Sequence, residues 1–87
     1  MDKQKQIVVI AHERKAEALR MASGLTLLDD VVRVFVVGRL DDDAETVSQL
    51  EVLEFAEVPI ANVSVDDAQA MSGLVDAIAA SQAVYVL

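Results

Sequence analysis

The chain contains no cysteine and no tryptophan, and only one histidine, one proline and three glycines. Without cysteine it has no disulfide framework, no thiolate metal site and no thiol chemistry of its own. A single histidine, His12, leaves no histidine-based transition-metal site within one subunit unless carboxylates supply nearly every ligand. Positive charge is also scarce, with 7 Lys and Arg against 15 Asp and Glu and a net charge of −8. The basic residues Lys3, Lys5, Arg14, Lys15, Arg20, Arg33 and Arg39 are scattered among acids. Nucleic acid and anionic membrane surfaces are therefore not expected partners. Apolar runs are also short, at about six residues against the ~20 that a membrane-spanning helix requires. Met1 to Gln6 lead into only five apolar residues, too few for the apolar region of a signal peptide, so a cytoplasmic location is expected.

What is present is aliphatic. Hydrophobic residues make up 54% of the 87 and aromatics only 3%, so the core must be built from Val, Leu, Ile and Ala. Such cores suit parallel sheets buried on both faces. The length predicts one domain over residues 1–87, near the lower end of what a single core stabilises unaided. Oligomerisation is expected on that ground.

Ile7 to Ala11 is a continuous apolar run bounded by polar residues, the pattern of a central strand. From Arg14 to Leu28 the residues Ala18, Leu19, Met21, Ala22, Leu25 and Leu28 recur at helical spacing. Val31 to Val37 reads as a second strand stopped by Gly38, with Arg33 marking an end or face near solvent, as at a sheet edge. Asp43 can cap a second helix over residues 44–57, with Val47, Leu50, Leu53 and Phe55 inward. Pro59 closes it, and Ile60 to Val65 form a third strand. A third helix, capped by Asp67 or Ser72, carries Met71, Leu74, Val75 and Ile78 as its stripe and ends near Ser81. Ala83 to Leu87 is the last strand.

The alternation βαβαβαβ predicts an α/β three-layer sandwich with a four-stranded parallel sheet, flavodoxin-like winding and strand order 2-1-3-4. In that order the loops after strands 1 and 3 are neighbours at the point where winding reverses, where open α/β sheets bind ligands. The candidate crevice comprises His12, Glu13, Arg14, Ser64, Asp66 and Asp67, with Gly38 and Arg39 following strand 2. Ser64, His12 and Asp66 supply the residue types of a nucleophile, base and orienting acid, but no Gly-x-Ser-x-Gly elbow surrounds Ser64. The loop after strand 1 has neither Gly-x-Gly-x-x-Gly nor Gly-x-x-x-x-Gly-Lys-Ser/Thr, and Glu13 would repel a phosphate, so no cofactor is expected. Asp41 to Asp43 with Asp66 and Asp67 resemble an oxygen-ligand set, but their loops are not adjacent in this order and helix capping accounts for them better, so no metal is assigned.

The stretches "VRVFVVG", "LEVLEFAEVPIANVSV" and "SGLVDAIAASQAVYVL" resemble the DsrE/DsrF-like family of small sulfur-relay proteins over most of the chain. In active members of that family a cysteine just past strand 3, often within Asn-Val-Cys-Val, carries a persulfide. The matching stretch here is Asn62-Val63-Ser64-Val65, which places Ser64 at the cysteine position. A serine hydroxyl neither forms a persulfide nor exchanges sulfur, whereas a thiol needs only modest help to become a competent thiolate. The resemblance thus implies a catalytically silent protein acting as an oligomeric interaction or accessory subunit, as a homo-oligomer or with related subunits, linked to sulfur metabolism. The alternative is a small-molecule binding or hydrolytic protein that uses the crevice at the carboxyl ends of strands 1 and 3.

Overall fold

The computed structural model describes residues 5–28, 30–40, 43–64 and 66–87. Val65, Asp41 and Asp42, and the side chain of Leu28, to which the sequence assigns roles, lie outside that description. The elements alternate as β1 (Gln6–Ala11), α1 (Lys15–Leu25) with a 3-10 turn over Thr26–Leu28, β2 (Val31–Val37), α2 (Ala44–Phe55), β3 (Ile60–Val63), α3 (Ala68–Ala80) and β4 (Ala83–Val86). All ladders in the four-stranded sheet are parallel.

The strand order is β3-β2-β1-β4, not 2-1-3-4. Winding moves outward from β1 through β2 to β3, and the last crossover returns past β1 to place β4 on its other side. The reason lies in β3. Ala61 and Asn62 are exposed, so this short strand lacks the two apolar faces that a central position demands. It pairs only with β2, from Val34 opposite Ile60 to Val37 opposite Val63. β2 is therefore internal rather than an edge, and Arg33 reaches solvent from one face of it.

β1 is the hub of the core. Ile7, Val9 and Ala11 pack with Val32, Val34 and Val36 of β2, with Ala18, Leu19 and Ala22 of α1 and with Leu53 of α2. Val8 and Ile10 point the other way, joining Val63 with Leu74 and Ala77 of α3. Each fully buried Val, Leu or Ile contributes ~1.5–3 kcal/mol of transfer free energy, so a strand buried on both faces anchors both layers. The layers are unequal: α1 and α2 cover one face and α3 alone packs on the other, against β3 and β1.

Two helical stripes are rotated from the expected ones. In α2 the inward residues are Thr46, Leu50 and Leu53, while Val47 is largely exposed and Phe55 is 93% exposed. Phe55 is the last residue of the helix. Ala56 forms the cap and Glu57 has φ 61. Glu57 donates its N–H to Glu54 and Val58 to Leu53, the bond pair of a Schellman motif with a glutamate at the left-handed position. In α3 the inward residues are Leu74 and Ala77 with Ala70 and Met71 partly covered, and Val75 is 59% exposed. The apolar residues of α3 outnumber what one face can bury, and the small side chain of Ala77 permits the closest approach to the sheet.

Candidate functional site

The loops at the carboxyl ends of the strands follow one another across the sheet in the order Ser64, Gly38, His12, Leu87. β2 therefore stands between the two loops that were expected to form one crevice. Neighbouring strands lie about 4.8 Å apart, so β1 and β3 are separated by roughly 10 Å at the sheet. Ser64, His12 and Asp66 are not brought together as a nucleophile, base and orienting acid, which requires hydrogen-bond reach at each step.

Each of these residues has a local role or faces solvent. Ser64 is exposed, and its Oγ accepts the N–H of Asp66 at 3.3 Å while its carbonyl accepts the N–H of Asp67 at 3.0 Å. This is a strand-end turn closed by a hydroxyl. Asp67 caps α3 by accepting from Gln69 at 3.0 Å and Ala70 at 3.2 Å, which selects it over Ser72 as the helix start. Asp43 does the same for α2 through Thr46. Among the described residues no three of His, Asp and Glu gather as a metal-holding group.

Gly38 leaves β2 with φ 86, a conformation that L side chains rarely adopt, and donates its N–H to Val63 at 3.1 Å. Arg39 contributes a backbone group: its carbonyl accepts from Lys15 Nζ at 2.7 Å, tying the first turn of α1 to the loop after β2. Lys15 was not singled out in the sequence, because nothing in a lone lysine reports a backbone partner 24 residues away. Arg14 faces Glu17 at 3.5 Å, both side chains well exposed, so the pair is worth little. A shallow open depression with a volume of ≈ 300 Å³ lies along Glu13, Arg14, Lys15, Ala16 and Glu17, which carry both charge signs.

With the order β3-β2-β1-β4, winding reverses between β1 and β4. There the carbonyl of Leu87 accepts the N–H groups of both His12 at 2.7 Å and Glu13 at 2.9 Å. The described residues thus assemble no catalytic constellation at the sheet's carboxyl edge.

The fold is shared with a yeast protein. The crystal structure of yeast ynu0, YNL200c, superposes with a TM-score of 0.59 at 26% sequence identity, over 69% of this chain and 26% of that one. The chain thus corresponds to about a quarter of the length of its yeast neighbour. No protein-family model matches the chain. No curated protein matches it either.

The surface that sequence reasoning missed lies on the α3 side and at the β4 edge. Val75, Ile78, Val84, Tyr85 and Val86 all remain substantially exposed. Of these, Val75 and Ile78 belong to the stripe expected to face inward. The available signal was excess: α3 carries Ala70, Met71, Leu74, Val75, Ala77 and Ile78, more apolar positions than one stripe needs.

Proposed function

We propose that this chain is a cysteine-free, catalytically silent relative of the DsrE/DsrF-like proteins that works as an oligomeric interaction subunit. The observation that carries the reading is the set of aliphatic side chains left in solvent on β4 and the adjoining flank of α3, with Val86 63% exposed. Exposed aliphatic side chains in this number on a small domain support an interaction role. Ser64 supports the negative half of the proposal. Its hydroxyl closes a turn, and an alcohol at that position cannot hold transferable sulfur. The crevice reading has less support, because β2 stands between its two loops.

Light scattering on the purified chain tests the proposal. A defined species heavier than the 9.4 kDa monomer is expected at micromolar concentration. A monomer under these conditions, together with turnover of a small molecule that depends on His12 or Ser64, would contradict it.

A further inference from the structure

We infer that the outer flank at the carboxyl end of α2 receives a basic amphipathic segment of another protein, whose aliphatic stripe covers Val52 and Phe55 while its lysines or arginines meet Glu51, Glu54 and Glu57. The inference goes beyond the assembly reading, which concerns β4 and α3 across the sheet.

Aromatic residues are scarce in this chain, with two Phe and one Tyr. Phe35 packs against the core, whereas Phe55 stands in solvent. Val52 precedes Phe55 by three residues, so the two are neighbours on the helix surface, and Val52 is also exposed. Two contacts set the seam between α1 and α2: Arg20 pairs with Glu45, and Ser23 Oγ donates to Gln49 Oε1 at 3.2 Å. One turn further along both, the seam reaches Leu27 and Val52. Leu27 is largely exposed as well, so a ridge of three apolar side chains stands at one end of this layer.

The ridge lies among uncompensated acids. Every lysine and arginine of the chain falls at or before Arg39, so α2 and its cap carry none. Glu51, Glu54 and Glu57 follow one another at three-residue steps, where like charges repel. They also gather at the negative end of the helix dipole, where a base is favoured over an acid. Among the described residues the ion pairs are Arg14 with Glu17 and Arg20 with Glu45, and neither involves these three. The exposed aromatic adds nothing to the core and the clustered acids oppose the fold, yet both fall on the last turns of one helix. Local departures of this kind gather at functional surfaces.

Charge complementarity selects the occupant. A second copy would bring the same acids face to face, and nucleic acid or an anionic membrane would add further negative charge. A cationic segment is drawn to this flank by the field of the acids, and its apolar side chains take Val52 and Phe55 out of water. An aromatic anchor within a charged rim is the ordinary anatomy of a protein interface.

Two synthetic helical peptides of equal length and charge test the inference, one with a Lys face and a Leu stripe and one with Ala in place of each Leu. Binding is read by titration calorimetry on the wild type, Phe55→Ala, the double variant Glu51→Gln with Glu54→Gln, and Val75→Ser, with folding checked by circular dichroism and solution mass by sedimentation. The wild type is expected to bind the Leu peptide at least tenfold more tightly than the Ala peptide, and Phe55→Ala to lose that preference. The double variant should bind both peptides several-fold more weakly and with a flatter dependence on salt, which screens the attraction. Val75→Ser, across the sheet, should bind as the wild type does. A Leu preference that is missing in the wild type, that survives Phe55→Ala, or that Val75→Ser abolishes would overturn the inference. A lower solution mass for Phe55→Ala than for the wild type would overturn it too, by assigning the ridge to a second copy.

Discussion

The backbone carbonyl of Leu87 accepts the amide of His12 at 2.7 Å, joining the end of β4 to the loop that follows β1. This bond spans the reversal of winding between β1 and β4. It uses no side chain. His12→Ala should therefore change stability by no more than about 0.5 kcal/mol in chemical denaturation, the range of ordinary surface substitutions. A loss several times larger would mean that the imidazole itself holds the loop.

Ser64 offers a second check. Its exposed hydroxyl makes one local bond, to the amide of Asp66 at 3.3 Å. Ser64→Ala should cost about 1 kcal/mol or less and leave the solution mass unchanged. A variant that stays folded but loses an activity found for the wild type would refute the assignment of Ser64 to a turn.

Leu53 and Phe55 stand two residues apart on α2, and their fates should differ. Leu53 is fully buried against α1 and the sheet, whereas Phe55 is 93% exposed. Leu53→Ala should cost about 2–5 kcal/mol, enough to unfold a marginal 87-residue domain. Phe55→Ala should lie within about 0.5 kcal/mol of the wild type. Equal costs in urea titration would show that the helix is rotated from the position described.

Glu57 holds φ 61 after α2. A non-glycine residue there bears a left-handed penalty of ~1–2 kcal/mol, and glycine bears none, although it gives up more chain entropy on folding. Glu57→Gly should raise stability by about 0.5–1 kcal/mol, read as a higher denaturation midpoint with an unchanged slope. A decrease would mean that the glutamate side chain contributes something its local hydrogen bonds do not reveal.

The elements were legible in the sequence because each carries a clear local signal. The β-branched run Ile7 to Ile10 demands burial on both faces, and Gly38 and Pro59 stop the elements before them. Strand order was not legible, since it depends on which strand can bear exposure. Asn62 was the informative residue, because a polar side chain in the middle of a four-residue strand argues for an edge. The stripes of α2 and α3 were misassigned for a related reason. Helical spacing ranks faces by hydrophobicity, but packing selects the face whose small residues let the helix approach, Thr46 in α2 and Ala77 in α3. The adjacency expected of the site changed with the order, since six of its eight residues flank β1 and β3, which β2 separates.

Sedimentation equilibrium on the purified chain tests the assembly reading most directly. The account predicts a defined species heavier than the 9.4 kDa monomer at micromolar concentration. A species that keeps the monomer mass at every concentration would contradict it.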